Sequence, residues 1–199
     1  EEFGLRLLLA PTVNGVATYQ AYIITRRDAD RPDVESLRGS VFALSDPLSN
    51  SGYRYVAAKL HALDTSLDRF FGHTMFTYSH DNTIEAVRDG IADGGSVDSL
   101  IWDHLVRETP RIDAELVVID RSEDFPINPV VLSPHASPVL ARDLSRVLLA
   151  MSSDPEGREV LRDLGVSGFV RARESAFEPI VESWRELGVL PRPSDEERP

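Results

Sequence analysis

The chain has no cysteine. Disulfides, thiolate metal sites and cysteine nucleophiles are excluded together, and the redox compartment is left open. Basic residues are also scarce: 21 Lys and Arg stand against 33 Asp and Glu, a formal net charge of −12. A nucleic-acid surface needs a concentrated basic stripe, and neither a stripe, a basic arm nor a helix-turn-helix is found here. Nucleic acid is therefore no expected partner. Apolar runs such as LLLA and VLLAM fall far short of the roughly 20 residues that span a bilayer. The five histidines, His61, His73, His80, His104 and His135, lack the spacing of a metal-ligand set, so no metal or cofactor is expected.

Acidity does not exclude a small anion as ligand. Charges farther away than a Debye length of about 8–10 Å are largely screened, so a few N–H dipoles inside a cleft dominate locally.

What is present suits a folded α/β protein. The 199 residues are 42% hydrophobic and 27% charged, enough to bury a real core. LRLLLAP (5–11) and ATYQAYIITR (17–26) read as strands joined by a turn at Asn14-Gly15. SVFALSD (40–46) has the pattern of a strand buried on both faces. A helix follows over 51–63, with Tyr53, Val56, Ala57 and Leu60 at helical spacing. HTMFTYS (73–79) is a further strand, and the segment HDNTIEAVRDG that follows puts Ile84, Val87 and Ile91 on one helix face, with Gly90 available as a C-terminal cap. Residues 91–108 read as strand, turn and helix, with Asp98 where strand becomes helix. In the last third, Ser137-Pro138 and Asp154-Pro155 are helix starts, and Leu140, Leu144, Val147 and Met151 form an apolar stripe. The tail PRPSDEERP is expected to fray. Strands alternating with helices predict a mostly parallel sheet.

In open α/β sheets, ligands bind where strand carboxyl ends meet helix N-termini. Three stretches reach that edge in succession: Ser49-Asn50-Ser51, Ser79-His80-Asp81, and Asp98. A helix start offers unpaired N–H donors and about half a positive charge, which suits a tetrahedral oxyanion. Ser49, Asn50 and Ser51 add side-chain donors, Gly52 lets backbone approach closely, and His80 supplies another donor. Asp98 only accepts, so it suits a ligand carrying a proton on oxygen or a cationic amino group. Each feature also has an ordinary reading. Serine, asparagine and aspartate at helix starts cap helices, and Tyr19, Tyr22, Tyr53 and Tyr55 serve a sheet or core equally well. Ser79-His80-Asp81 contains hydrolase letters, but sequence neighbours cannot form a nucleophile–base–orienter relay, so no enzyme is expected.

The order of the motifs adds to this. LRGSVFALSDPLSNSGY, YSHDNTIEAVRDGIADGGSVDS, FPINPVVLSP and SSDPEGREVLRDLGVSGF, taken in sequence, resemble the phosphate/phosphite/phosphonate substrate-binding proteins of ABC importers. The resemblance implies a type II periplasmic-binding-protein fold: two lobes joined by a hinge, with the ligand in the cleft between them. It implies a central lobe over 25–112, a second lobe and hinge strands from 1–24 and 113–190, and a tail over 191–199. It also implies a preceding βαβαβ stretch of about 70–100 residues, without which the second lobe is partial. Carried over position by position, Ser49, Asn50 and Ser51 grip the anion, with Asn50 where the family has threonine. His80 is a further contact, Asp98 fills the acidic position, and Tyr19 is the aromatic from the strand entering the cleft. The implied function is an extracytoplasmic receptor for a phosphonate, phosphate or related oxyanion that feeds an ABC permease. The alternative is a ligand-sensing receptor of the same fold signalling to a histidine kinase or other membrane partner.

Overall fold

In the computed structural model, which describes residues 4–190, the chain opens with β1 (Arg6–Thr12), β2 (Thr18–Tyr19) and β3 (Ala21–Arg26). The turn at Asn14-Gly15 is present. Both residues have positive φ, 51° and 82°, and Val13 and Val16 exchange backbone hydrogen bonds of 2.8 and 3.1 Å, the pattern of a tight I′-like turn. No hairpin grows from it, because the flanking strands enter separate sheets. Nor is 17–26 one strand. Gln20 interrupts it: its N–H donates to Ser99 Oγ (2.9 Å), its Nε2 to the Ser122 carbonyl (3.0 Å), and its carbonyl accepts from Ser99 N–H (2.9 Å).

The chain divides into two compact units. One holds the segment ending at Tyr19 with Asp124–Pro179, the other holds Gln20–Glu123 with the segment from Ile180 onward. The tail PRPSDEERP lies outside the described residues.

The unit built on Gln20–Glu123 contains β4 (Val41–Leu44), a helical segment that starts as a π-helical turn (Asn50–Arg54) and continues as α1 (Tyr55–His61), and α2 (Leu67–Phe70). Then come β5 (His73–Phe76), α3 (His80–Arg88), β6 (Gly94–Asp98), α4 (Ser99–Glu108), α5 (Arg111–Glu115) and β7 (Leu116–Arg121). The sheet order is β5-β4-β6-β3-β7. β4 runs parallel to both β5 and β6, while β3 is antiparallel to both β6 and β7. Four strands thus share one direction, and β4, β5 and β6 end at a common edge.

One face of this sheet buries Ile84, Val87, Val97 and Trp102; the other buries Phe42, whose ring stacks on Phe71 with centroids 4.2 Å apart. Burial of Ile84 and Val87 contributes about 1.5–3 kcal/mol each. Ile91, expected on the same helix face, is exposed. Gly90 (φ 73°) ends α3 first, and Ala92 takes the buried place, its N–H returning to the Ala86 carbonyl at 3.0 Å. Gly95 sets how closely α3 lies on β6. A Cβ there would stand 2.6 Å from Thr83 Cγ2 and 3.2 Å from the Ala43 carbonyl oxygen, so only glycine fits without a shift.

The other unit adds β8 (Phe125–Pro126), β9 (Val130–Leu132), α6 (Pro138–Ala150), α7 (Pro155–Asp163) and β10 (Gly168–Arg171). β1 lies between β10 and β9, antiparallel to both, and β2 pairs with β8. The predicted helix starts are real: Ser137 Oγ accepts from Leu140 N–H (3.1 Å) and Asp154 from Gly157 N–H (2.7 Å). The expected apolar stripe of α6 is not a buried one. The helix has no buried residue, and Leu140 and Val147 are about half exposed. From Ile180 the chain belongs again to the unit built on Gln20–Glu123, where Trp184 of helix α8 (Glu178–Glu186) stacks on Tyr53 (centroids 6.1 Å, 13°).

Candidate functional site

The loop leaving β4 is built by local bonds. Asp46 accepts Leu48 N–H on its carboxylate (2.8 Å) and Ser49 N–H on its carbonyl (3.0 Å), which folds the chain back. Ser49 is extended (φ −70°, ψ 129°) and its Oγ accepts Gly52 N–H at 2.9 Å. The Ser49 carbonyl accepts both Tyr53 N–H (3.2 Å) and Arg54 N–H (3.0 Å), so the first turn is wider than an α-turn. Single π-turns of this kind recur at functional sites. Arg54 Nε donates to Asn50 Oδ1, and both Ser51 and Arg54 are buried.

The second tip is the start of α3. Ser79 Oγ accepts Asn82 N–H at 3.1 Å, and Thr83 Oγ1 donates to the Ser79 carbonyl (3.1 Å). The preceding residue, Tyr78, is three-quarters exposed with φ 61°, a backbone state that costs a bulky residue free energy. Asp98 forms the third tip, capping α4 by accepting Leu100 N–H at 2.7 Å.

These tips are joined. Ser96 Oγ donates to the Ser51 carbonyl at 2.6 Å, which ties the first loop to β6. Asp98 N–H donates to His80 Nδ1 at 3.1 Å, which ties the second tip to the third. Ser49, Asn50, Ser51, His80 and Asp98 therefore meet at the carboxyl edge of β4, β5 and β6. Capping and anion binding do not compete for Ser49: its oxygen accepts while its hydroxyl proton still serves a second acceptor.

The electrostatics follow from burial. Burial pushes the His80 pKa down, opposed by Asp81. With Nδ1 accepting, the proton of neutral His80 sits on Nε2. Burial pushes Asp98 up to about 6, against the lowering effect of the Leu100 and Ile101 amides. The site is donor-rich, with one carboxylate near the midpoint of its titration at mildly acidic pH.

Tyr19, the sixth residue expected at the site, belongs to the other unit. It is buried in β2, edge-on to Phe125 with centroids 6.0 Å apart. Tyr55 and Tyr53 are occupied structurally, the hydroxyl of Tyr55 by Asp120 and the ring of Tyr53 by Trp184. Ser45, Ser96 and Tyr78 also stand at or beside these tips, outside the expected set. A serine late in a strand and a tyrosine before a helix cap carry no local signal of where the fold places them.

A cleft of about 840 Å³ lies elsewhere in this unit, lined in part by Arg26, Arg27, Arg88 and Arg111. Its guanidiniums are already engaged, Arg26 by Asp28, Arg88 by Asp89, Arg111 by Glu115 and Arg27 by backbone carbonyls. The same carboxylates repel an incoming anion, so the donor cluster is the better candidate. Among the described residues no group of three or more His, Asp or Glu is placed to hold a metal ion, and no helix is long and apolar enough to cross a membrane.

A family model described as the periplasmic substrate-binding protein of phosphonate ABC transporters matches residues 1–177. Among solved structures, a binding-protein component of an ABC phosphonate transporter from Pseudomonas aeruginosa superposes with a TM-score of 0.81 at 22% identity, covering 93% of this chain and 63% of its own. PhnD1 of Prochlorococcus marinus, in complex with methylphosphonate, gives 0.81 at 16% identity over 93% and 72% of the two chains. A Xanthomonas citri protein bound to chloride ion gives 0.75 at 20% identity over 92% and 70%. The fold is α/β and similar to that of type II periplasmic binding proteins.

Proposed function

The chain belongs to the family of periplasmic substrate-binding proteins of phosphonate ABC transporters, and from that premise we propose that it binds a small tetrahedral oxyanion of the phosphonate or phosphate class. In this reading Ser49, Asn50, Ser51 and His80 donate to the anion, Asp98 receives a proton or amino group from it, and Tyr19 supplies an aromatic contact. The two compact units are the lobes, and the central one runs over Gln20–Glu123 with the segment from Ile180 onward, wider than the expected 25–112. The ligand passes unaltered to an ABC permease, and the protein works in the periplasm.

One observation carries the reading: three separate helix starts, rich in donors, are held at one sheet edge by the Ser96–Ser51 and Asp98–His80 hydrogen bonds. Dipole ends and hydroxyls fixed in place before binding cost little to reorganise when an anion arrives. Neutral His80 donates through Nε2. Ionised Asp98 favours an oxyanion that still carries one proton, since that O–H supplies the hydrogen its carboxylate needs.

Calorimetric titration with phosphate, phosphite, methylphosphonate and 2-aminoethylphosphonate tests it. Saturable heat with at least one of the four is expected. Absence of heat with all four overturns this ligand class.

A further inference from the structure

A buried hydroxyl at the site takes no part in capping or strand pairing. Ser45, the residue after β4, is 1% exposed, and its Oγ has no hydrogen-bond partner among the described residues. It lies against the anion loop. A Cβ built on Gly52 would stand 1.7 Å from Ser45 Oγ and 3.0 Å from Ser49 Oγ, so two hydroxyls bracket the Gly52 α-carbon.

Other buried serines of this unit avoid that condition. Ser40 Oγ donates to the Leu37 carbonyl, Ser96 Oγ to the Ser51 carbonyl and Ser122 Oγ to the Glu123 carbonyl, while Ser99 Oγ accepts from Gln20 N–H. An unpaired buried hydroxyl is destabilising, and alanine at 45 would relieve it with almost no change in volume. A cost of that kind, sited where a strand end meets a donor-rich loop, is the mark of a group kept for a partner that arrives later.

We infer that Ser45 is a further ligand-binding residue of this site, its hydroxyl donating to a bound tetrahedral oxyanion from beneath the loop; the role rests on the function proposed above. Gly52 makes it possible. Without a Cβ, the loop backbone settles directly on the Ser45 hydroxyl, and the Ser45 and Ser49 hydroxyls both lie within 3.0 Å of where that Cβ would stand. The Ser45 O–H rotates freely about its Cβ–Oγ bond and so turns to whichever ligand oxygen is presented.

The test is a calorimetric titration of the full chain and its Ser45→Ala variant with methylphosphonate and with inorganic phosphate, alongside thermal unfolding of both. The expected result is binding by the wild type, binding about tenfold or more weaker in the variant, and a variant Tm equal to or above the wild-type value. The split in sign matters, because a scaffold serine would lose Tm and affinity together. Wild-type binding that survives in the variant to within about twofold overturns the role of Ser45 alone. Parallel loss of Tm and affinity also overturns it. A wild type that binds neither probe removes the proposed site, and this role with it.

Discussion

Asp98 donates its backbone N–H to His80 Nδ1 at 3.1 Å across 18 residues of sequence. The pair couples two groups whose protonation states burial drives in opposite senses, and it yields opposing pH dependences that variants separate.

The Asp98 pKa is raised from 3.8 to about 6, so its contribution to stability is fully present below the unfolded value and is lost as pH rises through about 6. Asp98→Asn keeps a cap-forming side chain but removes the titration. The variant is expected to be more stable than wild type at pH 7.5, by up to about 3 kcal/mol, and to lose that advantage near pH 4. Urea unfolding across this range checks it; an advantage independent of pH would contradict the assignment.

His80 works the other way. Its pKa is lowered in the folded chain, so its contribution is present above the unfolded value and is lost as pH falls through the folded one. Protonation of Nδ1 would set one donor against the Asp98 N–H. In the Asp98→Asn background, stability should fall as pH drops below the unfolded imidazole value of about 6.5, and His80→Ala should abolish the drop. Nitrogen-15 spectra of the imidazole should show the Nε2–H tautomer at pH 7.5.

Ser49 and Ser51 separate capping from ligand binding. Ser49 Oγ accepts Gly52 N–H, whereas Ser51 is joined to β6 through its backbone carbonyl. Ser49→Ala is expected to cost about 1 kcal/mol of stability as a lost cap and about 1–3 kcal/mol of binding as a lost charged-acceptor donor. Ser51→Ala is expected to weaken binding by a similar amount with the smaller change in stability. Paired melting and titration experiments check both, and equal stability losses would refute the division.

Gly52 tolerates no side chain in this arrangement. Gly52→Ala places a Cβ 1.7 Å from Ser45 Oγ and 2.8 Å from Ser45 Cβ, and a loop shift costing about 1–3 kcal/mol is expected. Ser45→Gly removes both obstructing atoms. The double variant Ser45→Gly with Gly52→Ala should therefore recover part of the stability lost in Gly52→Ala alone, as chemical unfolding of the four proteins would show.

The parts legible in the sequence were those governed by neighbours along the chain. Ser49, Ser79, Asp98, Ser137 and Asp154 each cap the helix that follows, because the cap bond spans two or three residues. The strand ends and helix starts of the site were readable for the same reason. Errors arose where distant partners decide. Gln20 breaks a strand-like run because Ser99 and Ser122 bind it from 79 and 102 residues away. Ile91 is the exception, a local one: it fits the helical period, but α3 ends at Arg88 and Gly90 turns the chain before Ile91 is reached. Ser45 reads as part of a strand; its unpaired hydroxyl exists only because the loop returns over it.

The most direct test of the central claim is a nitrogen-15/proton correlation titration of the chain with methylphosphonate. The account predicts saturable shifts concentrated on the backbone amides of residues 49–52, His80 and Asp98, with the Arg26–Arg88–Arg111 cleft unmoved. Shifts centred on that arginine cleft, or none at saturating ligand, would contradict it.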